Sequence, residues 1–497
     1  MALALAGIFI SLAFLIVMAY RGHSVVVVAP VAAAIAVLFS GAPQLATYTQ
    51  IFMPALGKFL TNYFPLFLTG AIFGHLMTVS GLAQKLARGI SALFGPKQAM
   101  MSTVIATALL TYGGVSAWVV VFTIMPIAME LFRQADIPRR LMPGTVAFGT
   151  ITFALAALPG SPQIHNAIPT KYFGTNTYAA PVFGLISAAL MFLIGMLWLN
   201  YRVRSLNKAG VGFATDSADV DSHREEIAEH VLATEAGLAG GSAAGATPED
   251  IFQGDHSKGS HSVAVEGLLG LIPILVVVAV NFSFVYGFSK WLDFSYLADE
   301  KYGATSIKAL LGTWSVTLAL IVAIIVIILM HPKDIKKHLG ELSEGAKTGI
   351  LPAFTTASEV GYGAVIASLA VFSVLRDGVF GVSDNPLIVG VVSTGVISGI
   401  TGSSSGGLSI TMQAFGDQLA QMAHDSGMNV ELLHRVIAMA SVSFDSLPHN
   451  GAVLTMLLVC DMTHRQSYKD VAVLTIVVPL VALAIMLAVH GVIPGLV

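Results

Sequence analysis

The sequence predicts an all-α polytopic membrane protein made of two inverted-topology halves, each with a re-entrant hairpin and a broken helix. Three observations carry that prediction. Of 497 residues, 55% are apolar and 11% charged, with a mean hydropathy of +0.80, whereas a soluble chain carries roughly a quarter charged residues. A Thr-led Gly/Ser cluster interrupts an apolar stretch twice, and each time a Leu-Pro break follows at nearly the same distance. Leu158 follows Thr111 by 47 positions and Leu447 follows Thr401 by 46. Finally, the basic residues divide unevenly between alternate loops once the apolar runs are laid across a bilayer.

Runs of roughly 20 apolar residues, enough to span a bilayer, lie near 2–20, 23–40, 60–80 and 177–200 in the first half. They recur near 263–285, 306–330, 349–372 and 470–493 in the second. Residues 1–20 lack a basic n-region and lead directly into another apolar run, so they read as a retained helix and not a signal peptide. Segments 97–131 and 386–423 hold the clusters Thr111-Tyr112-Gly113-Gly114-Val115-Ser116 and Thr401-Gly402-Ser403-Ser404-Ser405-Gly406-Gly407 at their centres. Each is too long for one span and too short for two with a turn, which predicts a hairpin of half-length helices. The spans near 141–170 and 434–463 contain the breaks Leu158-Pro159-Gly160-Ser161-Pro162 and Leu447-Pro448-His449-Asn450. The total is ten spans and two hairpins.

Charge placement orients them. With 85–97, 131–140, 201–262, 331–347 and 461–469 in the cytoplasm, together with Arg21 between the first two spans, 18 Lys and Arg residues face inward. Seven remain outside: Lys58, Lys171, Lys290, Lys301, Lys308, Arg376 and Arg435. That split satisfies the positive-inside rule and places both termini outside. Five spans per half is an odd number, so the second half enters inverted and the hairpins reach the midplane from opposite faces. The domains expected are a first transmembrane repeat (1–204), a cytoplasmic linker (205–262) and a second repeat (263–497). The linker is rich in Ala, Gly, Ser and acids such as Asp216 and Asp221 and cannot bury a core; Asp221 to Leu232 is a candidate surface helix.

Paired helix interruptions in corresponding positions of two halves are a sequence pointer to a transporter binding site. Non-helical backbone survives in hydrocarbon only where protein or a water-filled cavity satisfies it. Half-helix N-termini after Ser116, Gly407 and Pro448 attract anions, with hydroxyls of Thr111, Ser116, Thr401, Ser403, Ser404 and Ser405 beside them. Gly/Ser runs also permit plain close helix packing; two in register favour a site. No Lys or Arg is expected deep in a span, which favours a small, singly charged anion over a polyanion. Gln163, Asn166 and Asn450 offer amides to it. Asp445 sits in apolar surroundings, where a carboxylate costs roughly 2.5–3.5 kcal/mol, and is the first candidate proton carrier, with a cap on the backbone freed by Pro448 as the alternative. His165 and His449, with near-neutral intrinsic pKa values, complete the set, each with a hydrogen-bonded buried histidine as the alternative, as does Glu359, with interhelix pairing as its alternative.

Several classes are disfavoured. A net charge of −3 points away from nucleic acid. The single cysteine, Cys460, excludes an internal disulfide or a cysteine metal cluster, and no cofactor or metal is expected. Gly402-Ser403-Ser404-Ser405-Gly406 matches the elbow of serine hydrolases, with Asp445 and His449 as nominal partners. That elbow needs a strand-to-helix turn, and the flanking sequence is apolar membrane segment, so an intramembrane hydrolase is the disfavoured enzyme alternative.

The runs Tyr112-Gly113-Gly114-Val115-Ser116, Ile137-Pro138-Arg139-Arg140-Leu141-Met142-Pro143-Gly144-Thr145, Ala157-Leu158-Pro159-Gly160-Ser161-Pro162-Gln163-Ile164, Tyr172-Phe173-Gly174-Thr175 and Asp445-Ser446-Leu447-Pro448-His449-Asn450-Gly451-Ala452-Val453 resemble the gluconate permease (GntP) family of bacterial inner-membrane symporters, over nearly all the chain outside 205–262. The resemblance implies two inverted repeats, a dimerising scaffold, a transport domain moving elevator-fashion around the hairpin tips, and proton-coupled uptake of small hydroxy acids. Leu158 to Asn166 is more similar to the D-3-hydroxybutyrate branch than to the gluconate branch, although His165 departs from the glutamine expected there. The resulting expectation is proton symport of a short hydroxy-monocarboxylate, 3-hydroxybutyrate first. Gluconate, sodium coupling and a passive channel are the alternatives.

Overall fold

A computed structural model describes residues 2–21, 23–216, 260–448, 450–460, 462–493 and 495. Among them the chain is helical, with no strand. The first half comprises α1 (Ala2–Tyr20), α2 (Val25–Ser40), α3 (Gln44–Val79), α4 (Leu82–Phe94), the hairpin α5 (Ala99–Tyr112) and α6 (Ala117–Gln134), the broken pair α7 (Arg139–Ala157) and α8 (Ile164–Phe173), and α9 (Pro181–Lys208). The second comprises α10 (Val263–Trp291), α11 (Ile307–Met330), α12 (Ile335–Ser368), α13 (Phe372–Phe380), the hairpin α14 (Pro386–Thr401) and α15 (Ser404–Asp425), the broken pair α16 (Val430–Ser441) and α17 (Gly451–Val459), and α18 (His464–Val492).

Seven of these helices are long and apolar enough to cross a membrane: α3, α7, α9, α10, α11, α12 and α18. The count is lower than the ten spans expected because α1 and α2 are shorter apolar helices and because the second break leaves α16 and α17 with 12 and 9 residues. Two helices depart from the loops expected of them. Residues 82–94 form α4, which buries Leu82, Ala83, Leu86 and Ala87, and 372–380 form α13.

The long helices α3 and α12 cross in extensive contact with one another. They approach closely because α12 presents glycine there: a Cβ on Gly349 would stand 2.9 Å from Ala71 Cβ and 3.0 Å from Phe67 O. At one end His75 Nε2 lies 2.8 Å from Glu341 Oε2, tying the crossing together. Gly349→Val is expected to part the two helices at a cost of about 1–3 kcal/mol, the range for overpacking. A lowered unfolding temperature, read by a thiol-reactive dye on the buried Cys460, checks it.

The start of the expected linker is ordered. Helix α9 runs to Lys208, Phe213 N–H donates to Asp136 Oδ1 (2.8 Å), and the buried Asp216 accepts from Arg140 N (2.6 Å) and pairs with its guanidinium. Asp216 is therefore an anchor on the 136–140 loop and not a solvated linker acid. The candidate helix from Asp221 to Leu232 lies outside the described residues.

Candidate functional site

Each hairpin turns where its sequence supplies glycine. In the first, Gly114 adopts φ +100°, a conformation L side chains rarely take, and a Cβ there would meet Leu320 Cδ2 at 3.0 Å and Pro162 Cγ at 3.1 Å. Ser116 begins α6 without bonding any amide of its first turn. In the second, Gly402 is left-handed at φ +63°, and Ser403 caps α15 by accepting Gly406 N–H at 3.1 Å. One tip thus leaves its helix start without a side-chain cap, while the other closes it with its own serine.

The first break is tightly held. Pro159 O accepts from Tyr112 Oη (2.8 Å), Gly160 N–H donates to Thr177 O (2.9 Å), and Gly160 O accepts from the buried Asn281 Nδ2 (3.0 Å). Asn166 Nδ2 reaches Leu158 O (3.3 Å) and Ser161 O (3.1 Å). The expectation that peptide groups here stand open for a substrate is therefore corrected: side chains from α5, α8 and α10 take most of them, as buried backbone requires. Asn166, expected to offer its amide to an anion, is committed to this scaffold.

The two breaks carry matching amides. Gln163, immediately before α8, donates Nε2 to Thr111 O (2.7 Å) in the first tip. Asn450, immediately before α17, donates Nδ2 to Gly402 O (2.9 Å) in the second and caps α17 through Val453 N–H (2.9 Å). Each break is thereby laced to the hairpin of its own half.

The halves join at the start of α8. Two residues after Gln163, His165 Nε2 lies 2.9 Å from Ser404 Oγ at the second tip. Asp445 faces the hydroxyl and amide of Ser404 and accepts from Ser446 Oγ at 3.0 Å. Glu359, on α12, accepts from Ser403 Oγ at 3.2 Å, and a Cβ on Gly406 would run into its carboxylate. Two carboxylates and an imidazole thus converge on Ser403 and Ser404, and Glu359, Asp445 and His165 are each under 5% exposed. His165 Nδ1 and Thr111 Oγ1 are buried without a hydrogen-bond partner, which leaves polar atoms available to a solute or a proton.

The remaining candidates sit as follows. Gly113 and Gly114 pack the first tip against the second half, at Ile274 and Leu320, while Tyr112 bonds Pro159 O in the first break. Thr401 turns its hydroxyl back to Ile397 O (2.9 Å) in its own helix, and Ser405 Oγ is 3.5 Å from Thr356 Oγ1. His449 lies outside the described residues. Of the nominal hydrolase partners, Asp445 faces Ser404 itself, whereas a triad places its carboxylate on the far nitrogen of the histidine.

Sequence reading missed one residue. Arg435, assigned above to the outer surface, is fully buried. Asn429 caps α16 through Glu431 N–H (2.8 Å), which puts Arg435 in the second turn, inside the packed run Leu432-Leu433-His434-Arg435-Val436-Ile437. The Asn429 cap was the available signal.

Interrupted helices laced together around buried ionisable groups, with seven membrane-length helices among the described residues, define a membrane transporter. Comparison with known sequences agrees and narrows the class. Residues 1–230 match the GntP family permeases, and the chain is 38% identical over 476 residues, 95% of each chain, to "Uncharacterized transporter YxjC" of Bacillus subtilis (strain 168). The chain belongs to the GntP permease family and is a multi-pass protein of the inner membrane.

Proposed function

We propose that the protein is a secondary active symporter that brings a short hydroxy-monocarboxylate, 3-hydroxybutyrate first, into the cell together with protons. One observation carries the reading: a three-residue stretch bonds both hairpin tips, Gln163 to Thr111 O and His165 to Ser404. A solute held there contacts both halves at once, so its binding can bias their relative position.

The roles divide between the tips. The first, with its uncapped α6 start, Ser116, Thr111 and the face of Gln163, takes the anion. The second, where Glu359, Asp445 and His165 meet Ser403 and Ser404, takes the proton. Protonation there removes a negative charge from beside the substrate, so proton and anion favour one another's binding, which is the coupling a symporter needs.

The same element order in each half, helix pair, long helix, short helix, hairpin, broken span and closing helix, supports two inverted repeats spanning 1–204 and 263–497 about a linker. It also supports an elevator movement of the hairpins and broken spans against the remaining helices, within a homodimer. The test is uptake by proteoliposomes offered 3-hydroxybutyrate, acetoacetate, gluconate and citrate, under pH and Na⁺ gradients applied separately. Concentrative uptake of 3-hydroxybutyrate under the pH gradient is expected. Accumulation under the Na⁺ gradient alone assigns the acidic cluster to sodium, preference for gluconate replaces the substrate, and equilibration without accumulation makes the protein a channel.

A further inference from the structure

Arg435 presents an unusual arrangement. Its guanidinium is fully buried, and all five of its N–H groups are directed at neutral oxygens. Nε donates to Ala179 O (3.1 Å), Nη1 to Ala156 O (2.8 Å) and Asn166 Oδ1 (2.6 Å), and Nη2 to Thr177 O (3.2 Å) and Ala179 O (2.9 Å). Among the described residues no carboxylate bonds it. Glu431, one turn earlier on α16, is within electrostatic reach but accepts Ala180 N–H (3.4 Å) instead. His434 beside it holds Thr175 Oγ1 through Nδ1 (2.7 Å).

An isolated buried charge is expensive and is ordinarily matched by a counterion. The acceptors here come from both flanks of the first break: Ala156 is in the last turn of the helix before it, Asn166 stands in the first turn after it, and Thr177 also binds Gly160 N–H. Tyr112, on the first tip, lies within electrostatic reach of the guanidinium and bonds Pro159 O in the break. The backbone groups of the break are largely occupied, so they offer an anion little. A permanent charge directly behind them offers much more, because charge acts through a dry interior over distances at which a hydrogen bond contributes nothing.

We infer that Arg435 is the fixed positive pole of the anion site: a positioning residue that never touches the substrate, builds the first break through its five bonds, and selects a monoanion through a charge that no carboxylate hydrogen-bonds. The inference rests on the transport reading above and assigns the source of its anion selectivity. A single positive charge that no carboxylate hydrogen-bonds balances one carboxylate better than two or three, and it favours the acid over its neutral amide.

Charge and scaffold separate by mutation. Arg435→Lys keeps the charge and loses most of the bonds; Arg435→Gln loses both. Asn166→Asp keeps an oxygen on Nη1 and places a negative charge against the guanidinium. Binding of 3-hydroxybutyrate and 3-hydroxybutyramide to purified full-length protein is measured by calorimetry, alongside the unfolding temperature of each variant. The acid is expected to bind Arg435→Lys within about threefold of wild type, and Arg435→Gln and Asn166→Asp at least about tenfold more weakly, a difference of about 1.4 kcal/mol. Both Arg435 variants are expected to melt earlier. Should Arg435→Gln fail to fold, Arg435→Lys against Asn166→Asp decides. Acid affinity that follows unfolding temperature whatever the charge, or acid and amide losing affinity in equal proportion, overturns the inference alone. A wild-type protein that binds no acid overturns the transport reading with it.

Discussion

Asp445→Asn is expected to abolish proton-driven accumulation while sparing exchange of substrate across the membrane. Asp445 is 4% exposed, faces the hydroxyl and amide of Ser404, and accepts from Ser446 Oγ at 3.0 Å. Asparagine matches its shape and retains an oxygen for those donors, but it never carries the charge a transported proton must neutralise. The variant therefore resembles a permanently protonated transporter, able to move loaded and unable to couple. A pH gradient of one unit supports about tenfold accumulation per proton, about 1.4 kcal/mol, so the accumulation ratio should fall to unity in liposomes. Counterflow of labelled substrate should continue at a rate near that of wild type. Full accumulation by Asp445→Asn removes this carboxylate from the coupling step.

Gly406→Ala is expected to silence transport by a different route. Its new methyl would run into the Glu359 carboxylate and stand 2.9 Å from Ser403 Oγ. Glu359 would be forced from Ser403, and the cap that Ser403 places on Gly406 N–H at 3.1 Å would be disturbed. A lost cap costs about 0.5–2 kcal/mol and a lost hydrogen bond to a charged group about 1.5–3. Uptake should fall at least about thirtyfold if even 2 kcal/mol of this is needed to hold the second tip in its working shape. Adding Glu359→Asp withdraws the carboxylate by one methylene and is expected to restore part of the activity. A double variant no better than Gly406→Ala would show that crowding of Glu359 is not the cause.

The hairpins and breaks were legible because their signals are local. Gly114 and Gly402 take left-handed conformations, Pro159 and Pro162 remove donors, and the apolar runs around them leave no other place for a membrane chain to bend. The amphipathic helix α4 was not legible: its buried face of Leu82, Ala83, Leu86 and Ala87 is brief, and Lys85 and Arg88 within it read as loop charge. Arg435 was misread for a related reason. Counting charges along a chain assigns a basic residue near the end of an apolar run to the surface, whereas the oxygens that satisfy this one lie 256 to 279 positions away. Asn166 and Asn450 were recognised as amides available for bonding, but their acceptors became visible only once the breaks were folded onto the hairpins. The contact of Ser404 with His165 joins residues 239 positions apart.

Substrate protection of single cysteines tests the junction itself. Cys460 is the sole native cysteine and is fully buried, so Cys460→Ser provides a clean background for Ser116→Cys at the first tip and Ser403→Cys at the second. Both positions are part-exposed. The rate at which a membrane-impermeant maleimide labels each is measured in sealed vesicles with increasing 3-hydroxybutyrate. Protection of both positions by the same acid, with one half-maximal concentration, is expected if the two tips enclose one substrate. Labelling of both that is indifferent to every transported acid would contradict a binding site shared by the two halves.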